Sequence, residues 1–185
     1  MRRNTSRTLP LLLVLSVAAL LLAGCPSGGG GGGDDTYEII DQPLQGNFNG
    51  KVFDYNSGYA EADDETGEYH FYLYNVEPAD GFQPWEAGAY LGSEYLEVLF
   101  SVPQAVGTYD LYFDLYDWSS EENQTVTLYD PIDDSLNILC DLGSIRIDSI
   151  DTVSGIIQGA IAARPSDDGS DWVNGTFAIE IEPID

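Results

Sequence analysis

Three runs of carboxylates stand where the chain is expected to turn: Asp63-Asp64-Glu65, Asp130 with Asp133-Asp134, and Asp167-Asp168 with Asp171. Calcium takes about six to eight oxygen ligands, and flexible acidic loops supply them. The strongest of the three is Asp167-Asp168-Gly169-Ser170-Asp171. Gly169 allows a sharp turn there, and Asp167, Asp168 and Asp171 form a candidate Ca2+ set. None of the runs has EF-hand spacing. The competing reading is solvated turn carboxylates that gather cations diffusely. A second group is aromatic. In an extended chain Tyr112, Tyr116 and Trp118 share one face with Asp110 and Asp114. Such rings stack on sugars while carboxylates accept hydrogen bonds from hydroxyls, and Trp85, in a turn-rich segment, is a fourth candidate ring. Against this, tyrosines also pack beneath loops with their hydroxyls in water.

Catalytic chemistry has less to stand on. His70 is the one histidine of the chain, set among tyrosines, and no G-x-S-x-G, H-E-x-x-H or phosphate loop occurs. A serine or cysteine triad would need His70 as its base. Paired carboxylates hydrolyse glycosides, but among 32 acidic residues some pair always exists. Cys140 ends the alternation Leu136-Ile138-Cys140 and is read as a small core hydrophobe beside Asp141. The sequence therefore predicts a protein without catalytic activity. The alternative is a carbohydrate-active or other hydrolytic enzyme using paired carboxylates.

The elements that must hold these residues are strands. A period of two runs through 48–55, 68–76, 95–101, 110–118, 125–129, 135–140, 144–150, 156–164 and 172–182, with Gly, Asp, Asn and Pro between them. This predicts an all-β domain over residues 36–185, an antiparallel β-sandwich or open barrel of about 8–10 strands. The run 68–76 is apolar on both faces, as expected of a central or loop-covered strand. So acidic a chain could be disordered, but 12 Tyr, 7 Phe and 3 Trp provide enough ring area to build a core.

The N-terminus carries a different chemistry. Arg2, Arg3 and Arg7 precede an apolar run from Leu11 to Leu22. That run is shorter than the roughly 20 residues of a membrane-spanning helix. A basic start, a short apolar middle and small residues after it form an export signal over 1–24. The sequence Leu22-Ala23-Gly24-Cys25 resembles a bacterial lipobox. The resemblance implies cleavage before Cys25, lipid on its sulfur and an acylated amine. Pro26, rather than Asp, after the cysteine implies sorting to the outer membrane. Residues 25–35, with glycine at every position from Gly28 to Gly33, read as a flexible tether. With 1–24 removed, Lys51, Arg146 and Arg164 alone oppose the 32 acids. That balance excludes nucleic-acid binding driven by counterion release and docking on anionic headgroups, so membrane contact falls to the lipid.

The last third carries three further motifs: Gly143-Ser-Ile-Arg-Ile147, Ser154-Gly-Ile-Ile-Gln-Gly-Ala-Ile161 and Val173-Asn-Gly-Thr-Phe-Ala-Ile179. With Gly107-Thr-Tyr109 and Asn49-Gly-Lys51 they resemble a group of uncharacterised bacterial β-sandwich lipoproteins over about half the domain. The resemblance speaks for the fold and brings no activity. The expectation is a lipid-anchored envelope protein that binds a carbohydrate or an envelope protein, or that serves a structural role.

Overall fold

The computed structural model describes residues 37–90, 94–117, 123–131, 136–167 and 169–183. Cys25, the 1–24 segment, the 25–35 tether, Trp118, Asp133-Asp134 and Asp168 lie outside the described residues. Among those described, no helix is long and apolar enough to cross a membrane.

The fold is all-β. Its strands are β1 (Gln45–Phe48), β2 (Lys51–Asp54), β3 (Ser57–Asp63), β4 (Glu68–Tyr74), β5 (Glu97–Pro103), β6 (Gly107–Asp110), β7 (Val126–Asp130), β8 (Leu136–Cys140), β9 (Leu142–Asp151), β10 (Ile156–Arg164) and β11 (Trp172–Ile181). They make one sheet in the order β6-β9-β10-β11-β3-β4-β5-β7-β8, with the β1–β2 hairpin branching from β11. Eleven strands exceed the expected 8–10 for two reasons. The 48–55 run is split by the Asn49-Gly50 turn, both residues at positive φ (53° and 69°), as a tight Asn-Gly hairpin requires. And β3, built from Ser57, Gly58, Ala60 and Ala62 beside a few larger residues, has too little large apolar side chain for alternation to reveal it. Among the described strands one pairing is parallel, β11 with β3 through Glu180↔Tyr59 and Ile181↔Ala60.

Chain connectivity dictates the curl. β8 is last in the order and β9 second, yet only Asp141 separates them along the chain. One residue spans at most about 3.6 Å, so the sheet must bend to bring the start of β9 beside the end of β8. It does so as a curled, open half-barrel. At that corner Tyr112 and Gln124 exchange backbone hydrogen bonds of 2.8 and 2.9 Å, and the Leu111 N–H donates to the Gly143 carbonyl at 2.9 Å. Gly143 has φ 122°, and a Cβ there would run into the carbonyl oxygen of Ala162. Only glycine suits a strand turning so close to its neighbour.

The concave side holds the core. Phe71 stacks on Phe100 at 4.5 Å, with Phe177 edge-on at 5.9 Å. Cys140 is fully buried among these residues, and burial together with Asp141 and Asp171 pushes its thiol pKa up. It is therefore an unreactive core side chain. The β1–β2 hairpin reaches across to β7, where Lys51 Nζ lies 2.5 Å from Asp130 Oδ2 and Asn49 Nδ2 donates to the same oxygen at 2.8 Å.

Of the run 110–118, the described residues 111–117 do not continue as a strand. β6 ends at Asp110, opposite Ser144, and one further bond, from the Leu111 N–H to the Gly143 carbonyl, reaches almost to the start of β9 at Leu142. Past the Tyr112 bridge the segment becomes a turn. Asp114 Oδ1 accepts from the Tyr116 N–H at 2.8 Å, and Asn123 Oδ1 accepts from the Asp114 N–H at 2.9 Å.

Candidate functional site

Outside the core, the β3–β4–β5 face carries a second apolar cluster built from tyrosines. Tyr59 and Tyr72, cross-strand partners, stack at 4.6 Å. Tyr74 meets Tyr90 at 4.0 Å and Tyr95 at 5.7 Å. Glu97 is buried among them at 8% exposure. Burial raises its carboxyl pKa, and a hydrogen bond from the Tyr74 hydroxyl partly offsets that rise. This cluster positions the loop after β4. Ala89 and Tyr90 are buried against it, Ser57 Oγ lies 2.9 Å from the Tyr90 hydroxyl, and the Ala79 N–H donates to the Ala89 carbonyl at 2.8 Å. The arm between those anchors is thereby held against the sheet, and Trp85 is on it.

Trp85 lines a cleft of about 600 Å³ beside the β3–β4 and β9–β10 turns. Two hairpin turns of the same pattern form its rim, Asp63-x-x-x-Gly67 and Asp151-x-x-x-Gly155. In the first, Asp63 Oδ1 accepts from the Glu65 and Thr66 N–H groups at 2.8 and 3.3 Å. In the second, Asp151 Oδ1 accepts from the Val153 and Ser154 N–H groups at 2.9 and 3.1 Å. Hydrogen bonds hold both carboxyls below the usual range, led by the Glu65 N–H for Asp63 and by the Ser154 hydroxyl for Asp151, with the other backbone N–H groups adding to each. Tyr69 and Val153 add apolar surface to the cleft, and Asp64, Glu180 and Glu182 add carboxylates. An aromatic wall facing hydrogen-bond acceptors on rigid strands can stack a ligand and fix its orientation.

A third arrangement lies across β3, β4 and β5. Ser101 Oγ is 2.6 Å from His70 Nδ1, and Asp63 Oδ2 is 3.5 Å from His70 Nε2. These three residues line up in the order of a hydrolytic triad, beside a hollow of about 410 Å³ that also includes Gln124 and Thr127. Two features set it apart from such an enzyme. Ser101 sits within β5, not on the sharp turn that exposes a nucleophile with flanking N–H donors. Asp63 is already bonded into its own turn. Cross-strand pairing of His70 with Ser101 explains their contact without catalysis.

The residues singled out from sequence are not gathered in one place. Trp85 lines the cleft, whereas Tyr112 and Tyr116, 51% and 100% exposed, lie on the 111–117 turn and contribute nothing to it. Asp167 is exposed, and Asp171 Oδ1 accepts from the Asn49 N–H at 2.9 Å, bracing the β1–β2 turn. Among the described residues no three His, Cys, Asp or Glu converge as metal ligands. Sequence reasoning missed Val153, Glu180 and Glu182 as cleft residues and Ser101 as the partner of His70. All four depend on strand register, which no local motif announces. In comparison with known proteins, no family model, no curated protein and no solved structure matches the chain.

Proposed function

We propose that this protein is a non-catalytic binding module of the bacterial cell envelope, held to the outer membrane by lipid on Cys25, with the Trp85 cleft as its binding face. The observation that carries the binding role is the cleft itself, in which a half-buried tryptophan shares a wall with three carboxylates and two capped hairpin turns. The anchor rests on Leu22-Ala23-Gly24-Cys25 after its apolar run, and the glycine tether gives the domain reach away from the bilayer. The calcium set at Asp167, Asp168 and Asp171 is a lesser proposal, since Asp171 already accepts a backbone hydrogen bond.

Two measurements test this reading. Cys25→Ala should move the protein from the membrane fraction to the soluble one, and retention of the variant in the membrane would overturn the anchor. Amides of 152–155 and 180–182 should exchange more slowly when envelope extract is added, and Trp85→Ala should abolish that protection. Protection unchanged by Trp85→Ala would remove the cleft from the function.

A further inference from the structure

The Trp85 cleft does not end at Glu180. Glu180 also lines a neighbouring hollow of about 400 Å³, flanked by Phe82 and Pro84 of the same arm. That hollow in turn shares Tyr55 and Ala178 with a third, of about 470 Å³, that extends to Thr176 and Asp148. The three are consecutive along β11 and the residue that follows it, from Glu182 back to Thr176. Seven extended residues span roughly 20 Å at the usual rise. The result is a groove of three adjoining hollows with the length of a short extended chain, narrowed between the second and third where the Tyr55 hydroxyl donates to the Ala178 carbonyl at 2.8 Å. Trp85, Tyr55 and the 45%-exposed Phe82 supply rings along it. Asp64, Glu182, Glu180 and Asp148 supply carboxylates, Asp148 being already paired with Arg146 at 2.7 Å, and among the described residues no lysine or arginine lines any of the three hollows.

We infer that this groove takes an extended basic peptide segment, with a lysine or arginine side chain over Trp85 and its charge toward Glu180 and Glu182. The inference rests on the reading of the cleft as the binding face and names its ligand class. A cation over an indole face is attracted by the ring quadrupole, most strongly where water is excluded. The surrounding field favours the same choice, since it draws cations toward the surface and repels phosphates and acidic glycans. A neutral glycan would gain the ring stacking but nothing from the carboxylate charge.

The test uses full-length protein in neutral detergent and two probes: a labelled hexapeptide of alternating lysine and alanine, and a neutral hexasaccharide of N-acetylglucosamine. The peptide should bind at low salt and be weakened about tenfold by Trp85→Ala. Trp85→Phe, which preserves ring packing, should lose about threefold, as should Glu180→Gln. Asp110→Asn, an exposed acid on β6 outside the groove, should leave binding unchanged. Equal weakening by Asp110→Asn and Glu180→Gln, with none from Trp85→Ala, would mean diffuse condensation on an acidic surface and overturn the inference. Trp85-dependent binding of the hexasaccharide without the peptide would overturn the cationic ligand while leaving the cleft reading standing. Binding of neither probe through Trp85 would remove both.

Discussion

Lys51 is the chain's one lysine, and it reaches from the β1–β2 hairpin to Asp130, a carboxylate only 1% exposed. Removing one partner of a buried pair leaves the other charged and poorly solvated, at about 3–5 kcal/mol. Lys51 itself is 42% exposed and screened by water. Lys51→Met should therefore destabilise the domain by a smaller amount, about 2–3 kcal/mol, read from the denaturant midpoint. A loss below about 0.5 kcal/mol would show that Asp130's other partners, Asn49 among them, suffice for it. Glu97 has the opposite character. Burial raises its folded pKa above the ordinary 4.5, so the folded state holds the proton longer than the unfolded chain. Its contribution is then most favourable at low pH and declines as pH rises from about that value through the folded one. Glu97→Gln removes the dependence and keeps an acceptor for Tyr74. It should raise Tm by a few degrees at pH 7 and leave it unchanged near pH 3. A Tm lowered at pH 7 would show that the ionised carboxylate is itself stabilising.

At the scale of elements, the long run from Leu136 to Asp151 sets the curl, because it supplies β8 at one end of the sheet and β9 near the other. Gly143 lets it turn. Gly143→Ala would meet both a φ of 122° and the Ala162 carbonyl, and should cost about 3 kcal/mol or more, as expected for backbone strain combined with a clash. An urea midpoint within error of the parent would refute that role. This corner also marks how far the sequence could be read. Alternation revealed β4, β8, β10 and β11 nearly to their ends, because each buries one face on the core. It failed over 111–117, where the pattern is as regular but the pairing among the described residues is the single Tyr112–Gln124 bridge. The motif Asn174-Gly175 was visible, but its use was not. Asn174 Oδ1 accepts from the Ile40 N–H and Nδ2 donates to the Glu38 carbonyl, docking a segment 136 residues away at its farthest contact. Trp85 was legible as an unplaced ring in a loop. Its neighbours come from the β9–β10 turn (Val153), from β11 (Glu180) and from the residue after it (Glu182), and only the sheet order joins them to it.

For the whole molecule, charge is the dominant fact. The domain's three basic side chains are all engaged. Lys51 lies on Asp130, Arg146 on Asp148 at 2.7 Å, and Arg164 stands over the Tyr37 ring at 5.4 Å. The remaining carboxylates repel one another across a curled sheet, and that repulsion opposes folding. Salt should relieve it, because the screening length falls from about 30 Å at 0.01 M to about 3 Å at 1 M. Tm should therefore rise steadily with NaCl over that range. Divalent cations should act further by condensing on the acidic surface. The informative comparison is calcium against magnesium at equal concentration. Diffuse condensation hardly distinguishes the two ions, whereas a built site with several carboxylates favours calcium, since magnesium gives up its water reluctantly. With Asp171 engaged by Asn49, equal shifts are expected. A calcium-specific rise of several degrees, lost in Asp167→Asn, would instead establish a metal site at the β10–β11 turn. Stability falling as NaCl rises would show that the engaged ion pairs outweigh the repulsion.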